Sequence, residues 1–155
     1  MGGGSAAFAA AIRATELGAK ATIINAGLPI GGTCVNVGCV PSKSLIRAAE
    51  IHYKSNHNPF KGIRSQSEVV DFGEIIHQKS ELVNSLRENK YVKVAMAHPD
   101  ITIVEGWARV TSPNSVEVNG QVLYGDALLI ATGVSPSIPD IPGLDQIPYL
   151  TNETA

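Results

Sequence analysis

The chain has 155 residues, of which 44% are hydrophobic and 17% charged, and this length and composition are typical of one globular domain rather than a disordered chain. The formal net charge of −2 gives no electrostatic basis for binding nucleic acid or an anionic membrane surface. The longest apolar stretches, 6–12 and 127–131, are too short to span a bilayer, and without a recognisable secretory signal a cytoplasmic protein is expected.

A glycine-rich turn opens the chain. Gly2, Gly4 and Ala7 have the spacing G-x-G-x-x-A, a helical pattern follows up to Gly18, and residues 21–24 form a β-branched run that predicts a buried strand. In a dinucleotide-binding unit the first glycine makes the turn, the second lets the backbone reach the pyrophosphate, and the alanine permits close helix packing. Taken alone, the motif fits a generic glycine turn equally well.

Two features depart from this fingerprint. It places a strand directly before the glycines, but only Met1 precedes Gly2, so we expect the first strand of the sheet to be missing and the chain to have poor independent stability. The strand after the helix normally ends in an acidic residue that binds the ribose hydroxyls, and here that position is Asn25. Because an amide carries no charge, weaker adenosine binding is predicted.

The only two cysteines are Cys34 and Cys39. Such a pair can be a structural disulfide, half of a metal site or a redox couple. Glycines on both sides, including Gly38, would let the backbone approach a bulky planar ligand and favour the redox couple. The amphipathic run after Pro41 predicts a helix with the pair in its first turns, where unpaired N–H groups and the nearby Lys43 would lower a thiol pKa.

A zinc site is the main metal alternative. It would need at least three protein ligands close together. The four histidines, at positions 52, 57, 77 and 98, show no pairing that would complete such a site with the cysteines. Surface positions are therefore the simpler interpretation of the histidines.

Residues 31–43, GGTCVNVGCVPSK, resemble the redox motif of the FAD-dependent pyridine nucleotide–disulfide oxidoreductases. The resemblance implies that FAD is the cofactor, that Cys34 is the thiol that meets substrate, and that Cys39 is the inner thiol stacked against the flavin. It also implies that residues 106–108 meet the adenine and that the turn 131–133 lies beside the cofactor, although either could be a simple strand end. The implied cofactor-binding residues are Gly2, Gly4, Ala7, Asn25, Gly27, Gly32, Thr33, Lys43, Ala108, Thr132 and Gly133.

The remaining elements follow in chain order. Residues 52–70 read as a loop, and Asp71 with Glu74 resembles a capping box that opens a helix to about Ala97. Strands are predicted at 101–104, 108–111, 116–118 and 121–123, with Asn119-Gly120 as a hairpin turn, and a buried strand at 128–130 precedes the turn at 131–133.

These elements predict an α/β fold: a partial Rossmann-like FAD-binding domain with a parallel sheet plus a small antiparallel hairpin sheet, and with its first strand missing. This incomplete domain would cover residues 1–135. The proline-rich residues 136–155 would be a linker toward an absent NAD(P)-binding domain. The family resemblance implies that this absent domain binds NADPH and that the full-length enzyme is a homodimer.

Within the family, residues 5–11, 88–91, 99–106 and 141–144 are more similar to mercuric reductases than to dihydrolipoamide dehydrogenases or glutathione reductases. This implies that Hg(II) is the substrate, held transiently by the two cysteines and reduced to elemental mercury with electrons from NADPH. The alternatives are another enzyme of the family, a non-catalytic thiol module that binds a soft metal, and a gene fragment with no function of its own.

Overall fold

The computed structural model describes residues 1–154, and it contains a two-stranded parallel sheet and a separate three-stranded antiparallel sheet. The α/β class predicted from the sequence is confirmed. The helices are α1 (Ser5–Glu16), α2 (Gly32–Asn36), α3 (Cys39–Asn56), α4 (Phe72–Arg87) and α5 (Lys93–Met96), with a π-helical turn at Glu88–Val92 and a 3-10 turn at Leu144–Gln146. The strands are β1 (Ala21–Asn25), β2 (Ile101–Glu105), β3 (Ala108–Ser112), β4 (Ser115–Val118) and β5 (Gln121–Tyr124).

The parallel sheet sets the edge at which the candidate site lies. Strands β1 and β2 pair along their whole length, from Ala21 opposite Ile101 to Asn25 opposite Glu105. Because parallel strands end at the same edge, the last residues of both strands lie side by side. The core beneath this sheet is apolar and consists of Phe8, Ala11, Ile23, Ile30, Ala95 and Ile101.

The long helix after the loop begins as the sequence predicts. The Asp71 side chain accepts a hydrogen bond from the backbone N–H of Glu74 at 3.3 Å. The helix does not run unbroken to residue 97, because a π-helical turn separates α4 from α5. This turn presents Tyr91 to α1, where its ring lies edge-on to Phe8 with centroids 4.9 Å apart and its hydroxyl lies 2.9 Å from the Ser5 hydroxyl.

The antiparallel sheet confirms the predicted hairpin. Strands β4 and β5 pair across Asn119-Gly120, whose φ angles of 52° and 75° suit the two-residue turns that join antiparallel strands. The Asn119 side chain also donates a 2.9 Å hydrogen bond to the backbone carbonyl of Glu105. Together with packing of Val116 and Val118 against Ile24, this bond fixes the hairpin against the end of the parallel sheet.

The predicted buried strand at 128–130 is wrong. Leu129 is 52% exposed and Ile130 67% exposed, and the segment has no strand geometry. Within residues 1–154, Met1 makes the backbone hydrogen bonds found for this segment, donating to Leu129 and accepting from Ala131 at 2.8 Å each. A strand needs a continuous ladder of partners, and one residue supplies only a single link.

The segment after β5 is irregular apart from the 3-10 turn. Within the predicted linker 136–155, residue 155 lies outside the described residues. The Asn152 side chain donates a 3.3 Å hydrogen bond to the Val37 carbonyl, so this segment passes close to the cysteine motif. No helix in the described part of the chain combines the length and apolar character needed to cross a membrane.

Candidate functional site

The two cysteines lie on different helices. Cys34 belongs to the short helix α2, whereas Cys39 is the first residue of α3, and both are exposed free thiols. The prediction that one helix carries the pair in its first turns is therefore wrong for Cys34. The helical path is interrupted because Gly38 has φ −120° and ψ −109°, outside the helical region.

Gly38 brings the two helices together. A Cβ atom at this position would lie 2.9 Å from the Thr33 carbonyl oxygen and 3.3 Å from the Cys34 Cα atom. Contacts that short with backbone atoms would force α2 and the start of α3 apart. Glycine is thus required by the protein's own backbone at the point where the two thiols approach each other.

A side-chain hydrogen bond to Cys39 raises the pKa of the Cys34 thiol because it stabilises the protonated form; burial and the charge of Cys39 raise it further, and a backbone hydrogen bond from Cys39 lowers it. The expectation that the helix start would lower this pKa is wrong for Cys34 in the free-thiol state. The hydrogen bond to the neighbouring sulfur stabilises the protonated form of Cys34. Lys43 is exposed on α3, four residues after Cys39.

Asn36, between the cysteines, holds the loop that precedes α2. Its amide group donates to the carbonyls of Pro29, Ile30 and Gly32, at 2.8, 3.3 and 2.9 Å. Its oxygen accepts a 3.0 Å hydrogen bond from Arg87 of α4. Sequence reasoning missed both residues, although Asn36 lies inside the motif; only the fold brings an arginine 51 positions away to it.

The glycine-rich turn forms an open helix start next to the cysteine motif. Gly4 is the N-cap of α1, and within the described residues no side chain caps this end and no acidic residue lies in its first turn. Gly31 donates its N–H to the Gly3 carbonyl at 2.8 Å, and a Cβ atom on Gly32 would lie 2.7 Å from the Gly4 Cα atom. Free amides at a helix start attract anions, so this arrangement fits the pyrophosphate of FAD.

Gly2 connects this turn to the segment at 131–133. Its N–H donates to the Ile24 carbonyl at 2.7 Å, its φ is +109°, and a Cβ atom on it would lie 2.0 Å from the Ala131 carbonyl oxygen and 3.2 Å from the Thr132 nitrogen. Only glycine permits both this φ and this approach. The structure therefore places the predicted residue Thr132 beside the glycine turn, and Gly133 directly follows it.

At the end of β1, the Asn25 side chain is already hydrogen-bonded within the protein. Asn25 is 4% exposed, and its amide nitrogen donates to the Leu28 carbonyl at 3.1 Å and to the two carboxylate oxygens of Glu105 at 3.2 and 3.0 Å. A Cβ atom on Gly3 would lie 2.1 Å from the Asn25 side-chain oxygen. Sequence reasoning missed Glu105, yet its place at the end of the strand beside β1 was a usable signal.

The other predicted residues are spread around this edge. Ala7 is buried in α1, and Thr33 follows Gly32 in α2. Gly27 has φ +79° and lies beside the ring of Trp107, which is 3.8 Å from the position of its Cβ atom, while Ala108 begins β3. Lys43 lies on α3.

The metal-binding capacity of this site rests on the two thiols. In the part of the chain that the structure describes, no group of three or more histidine, cysteine or acidic side chains is placed to hold a metal ion. The described residues therefore give the zinc alternative no third ligand. Two adjacent thiols can still hold a soft ion that accepts linear or low coordination.

The chain is similar to known proteins along its described length. The pyridine nucleotide-disulphide oxidoreductase family pattern matches residues 1–154. A mercuric reductase of Lysinibacillus sphaericus is 46% identical over 154 residues, which cover 99% of this chain and 28% of that protein. A mercuric reductase of Staphylococcus aureus is 41% identical over 155 residues, with coverages of 100% and 28%.

The chain also has the same fold as part of solved flavoprotein disulfide reductases. The HOCl-induced flavoprotein disulfide reductase RclA from Escherichia coli has a TM-score of 0.76 and 30% identity, covering 95% of this chain and 30% of that one. Its Cu(II) complex has a TM-score of 0.75 at the same identity and coverage. The chain thus spans less than a third of the length of these proteins. The match over residues 1–154 and the shared fold establish that the chain belongs to the pyridine nucleotide-disulphide oxidoreductase family.

Proposed function

We propose that this chain is the FAD-binding, redox-dithiol part of a mercuric reductase, which passes electrons from NADPH to Hg(II) and yields elemental mercury. The observation that carries the proposal is the exposed pair Cys34 and Cys39, brought together by Gly38 beside the open start of α1. Support for Hg(II) as the substrate comes from relatives at 41–46% identity that are mercuric reductases.

The chain's own backbone would hold the cofactor. The free amides at the start of α1 would bind the pyrophosphate, with Gly4 allowing close approach and no side chain within the described residues competing for the amides. Asn25, Gly27 and Ala108 would lie on the side of this edge that receives the adenosine. When bound, the flavin supplies two-electron transfer between a nicotinamide and a disulfide.

The dithiol performs the exchange with substrate. Two electrons and two protons convert a Cys34–Cys39 disulfide into two thiols. Hg(II) replaces the thiol protons and binds as a dithiolate complex, since soft sulfur ligands suit soft metals. Two further electrons, supplied by a second NADPH, reduce the bound Hg(II) to elemental mercury and leave the two thiolates. Because the Cys34 pKa is raised, Hg(II) binding would release protons and strengthen as the pH rises.

The proposed enzyme would need further domains besides the residues of this chain, which cover 28% of the Lysinibacillus sphaericus and Staphylococcus aureus mercuric reductases. Residues 1–135 would form the FAD-binding domain and residues 136–155 the linker to a domain that binds NADPH. The full-length enzyme would be a cytoplasmic homodimer. Activity on Hg(II) is proposed for that whole enzyme, whereas binding of FAD and of Hg(II) is proposed for this chain.

The test is to purify the chain, add FAD and follow flavin absorbance and fluorescence during reduction of the disulfide. A bound flavin with a long-wavelength thiolate-to-flavin band is expected, and Cys39→Ser should remove the band while Cys34→Ser retains it. Cys34→Ser is the matched control, because it removes a thiol from the same pair. A colourless protein that takes up Hg(II) through both thiols would overturn the flavin assignment and favour a non-catalytic thiol module.

A further inference from the structure

The acidic group expected at the adenosine ribose site is absent from its usual position in this chain. In dinucleotide-binding folds, the strand that follows the first helix normally ends in a carboxylate that accepts hydrogen bonds from the ribose hydroxyls. In this chain that strand is β1. Here that position is Asn25, which is 4% exposed. Whether this side chain can replace a carboxylate depends on which of its hydrogen-bonding groups are free.

Neither amide hydrogen of Asn25 is free. One nitrogen carries both hydrogens, and it donates to the Leu28 carbonyl at 3.1 Å and to the Glu105 carboxylate at 3.0 and 3.2 Å. These partners are acceptors only, so they also fix which side of the amide carries the nitrogen. The remaining oxygen lies against the backbone of Gly3. Asn25 therefore has no donor left for a ligand, and its oxygen lies beside Gly3 in a side chain that is only 4% exposed.

Glu105 has the capacity that Asn25 lacks. Its carboxylate is exposed at the carboxyl end of β2, directly opposite Asn25 in the parallel register. A carboxylate offers about four acceptor positions, and the Asn25 nitrogen occupies only part of them. The backbone around it is fixed, because its carbonyl accepts from Asn119 at 2.9 Å and the next N–H, of Gly106, donates to the Asn25 carbonyl at 2.8 Å.

A second feature marks the same edge. Trp107, the only tryptophan in the chain, is 81% exposed and its ring lies 3.8 Å from the position that a Cβ atom on Gly27 would occupy. A large exposed aromatic ring next to a charged acceptor suits a nucleoside, whose base is flat and whose sugar carries hydroxyls.

We propose that Glu105 supplies the carboxylate that accepts the adenosine ribose hydroxyls, and that Asn25 acts as a positioning residue that holds this carboxylate in place. The proposal rests on the proposed function, namely that this chain binds FAD. Compared with the usual arrangement, the acidic group would then lie at the end of β2 instead of β1, at the same edge of the sheet.

The experiment compares FAD with an analogue whose adenosine carries a 2′,3′-dideoxyribose. Binding to the full chain is followed by flavin fluorescence and by quenching of Trp107. The wild-type chain should bind the analogue about tenfold more weakly than FAD, the size expected for losing a hydrogen bond to a charged acceptor. Glu105→Ala should bind FAD and the analogue equally, and Glu105→Gln should discriminate only about threefold.

Asp100→Ala is the matched control, because this exposed carboxylate precedes the same strand at its opposite end. It should keep the tenfold discrimination. Thermal melts of all variants establish that each is folded. Undiminished discrimination by folded Glu105→Ala would overturn this inference alone, whereas failure of the wild-type chain to bind FAD would overturn the proposed function and the inference with it.

Asn25→Asp provides an independent test. If the ribose were bound at position 25, restoring the usual carboxylate would strengthen FAD binding. Under the proposal it weakens binding, because the new carboxylate would face Glu105 at hydrogen-bonding distance and repel it. Tighter FAD binding by Asn25→Asp would overturn the assignment to Glu105.

Discussion

Helices α1 and α4 begin in opposite ways. The start of α4 is capped by one of its own side chains. The Asp71 side chain accepts a hydrogen bond from the Glu74 N–H, and Glu74 places a negative charge in the first turn. The start of α1 has glycine as its N-cap, with no side-chain cap and no acidic residue in its first turn among the described residues. Every helix start has backbone N–H groups without partners inside the helix, and of these two helices only α4 caps one of them with its own side chain, which supports the proposal that the start of α1 binds the pyrophosphate.

Gly2→Ala should have the largest effect on stability. Gly2 lies in the turn directly before α1. Its φ is +109° and the added methyl group would lie 2.0 Å from the Ala131 carbonyl oxygen. We expect the free energy of unfolding to fall by about 3 kcal/mol, from backbone strain and overpacking together. Urea denaturation measures it.

Gly18→Ala is the control, because this glycine also has positive φ, +85°, but no atom lies within 4 Å of its Cβ position. It should cost only about 1 kcal/mol, from conformational strain alone. Equal losses in both variants would show that the contact between Gly2 and the segment at 131 is not tight.

Gly4→Asp would convert the start of α1 into one like that of α4. The extended backbone of Gly4 accommodates a capping side chain, and its Cβ atom would meet only the Gly32 Cα atom at 3.6 Å. We expect FAD to bind about 100-fold more weakly, because the new carboxylate repels the pyrophosphate and occupies its amides. Stability should stay the same or rise by a few tenths of a kcal/mol.

Gly4→Ala separates charge from bulk, since it adds the methyl group without the carboxylate. Fluorescence titration should show a much smaller loss of FAD affinity for this variant than for Gly4→Asp. If both variants bind FAD like the wild type, the start of α1 does not hold the pyrophosphate.

Asp71→Ala would open the start of α4. Loss of the cap should lower the free energy of unfolding by about 1 kcal/mol. FAD affinity should not change, because this helix start is not placed at the glycine turn. Thermal melts measure the stability of both this variant and Asp71→Ser. The serine retains a capping oxygen and should recover most of the lost stability; a comparable loss with serine would mean that the cap is not the cause.

The smallest expected effect is a shift of the Cys34 pKa when Cys39, at the start of α3, is replaced. This helix start carries Cys39 and, within the described residues, has no side-chain cap. Since the side-chain hydrogen bond to Cys39 raises the Cys34 pKa, Cys39→Ala should lower this pKa, and iodoacetamide should then alkylate Cys34 with a pH midpoint shifted downward. Mass spectrometry of the modified peptide locates the reaction at Cys34.

Ser42→Ala keeps both thiols and removes only a 3.3 Å hydrogen bond to the Cys39 carbonyl. Its alkylation midpoint at Cys34 should match that of the wild type. A midpoint in Cys39→Ala that stays in place or moves to higher pH would contradict the assigned cause.

Local sequence signals predicted much of the fold. The strand at Ala21–Asn25, the hairpin around Asn119-Gly120 and the cap at Asp71 depend on neighbours a few residues away, and each is present. The segment 128–130 had the composition of a buried strand, but strand formation depends on a partner ladder that composition does not report. Gly38 likewise separated two helices where the pattern predicted one.

The sequence by itself determined the family, the identity of the two thiols and the glycine turn, because these depend on residue types at short fixed spacings. The tertiary structure alone decided which groups are available for chemistry. It brought Glu105 to Asn25 across 80 positions and Arg87 to Asn36 across 51. Such pairs form where the packing of strands and helices places side chains within hydrogen-bonding distance, and no local pattern along the chain encodes that distance.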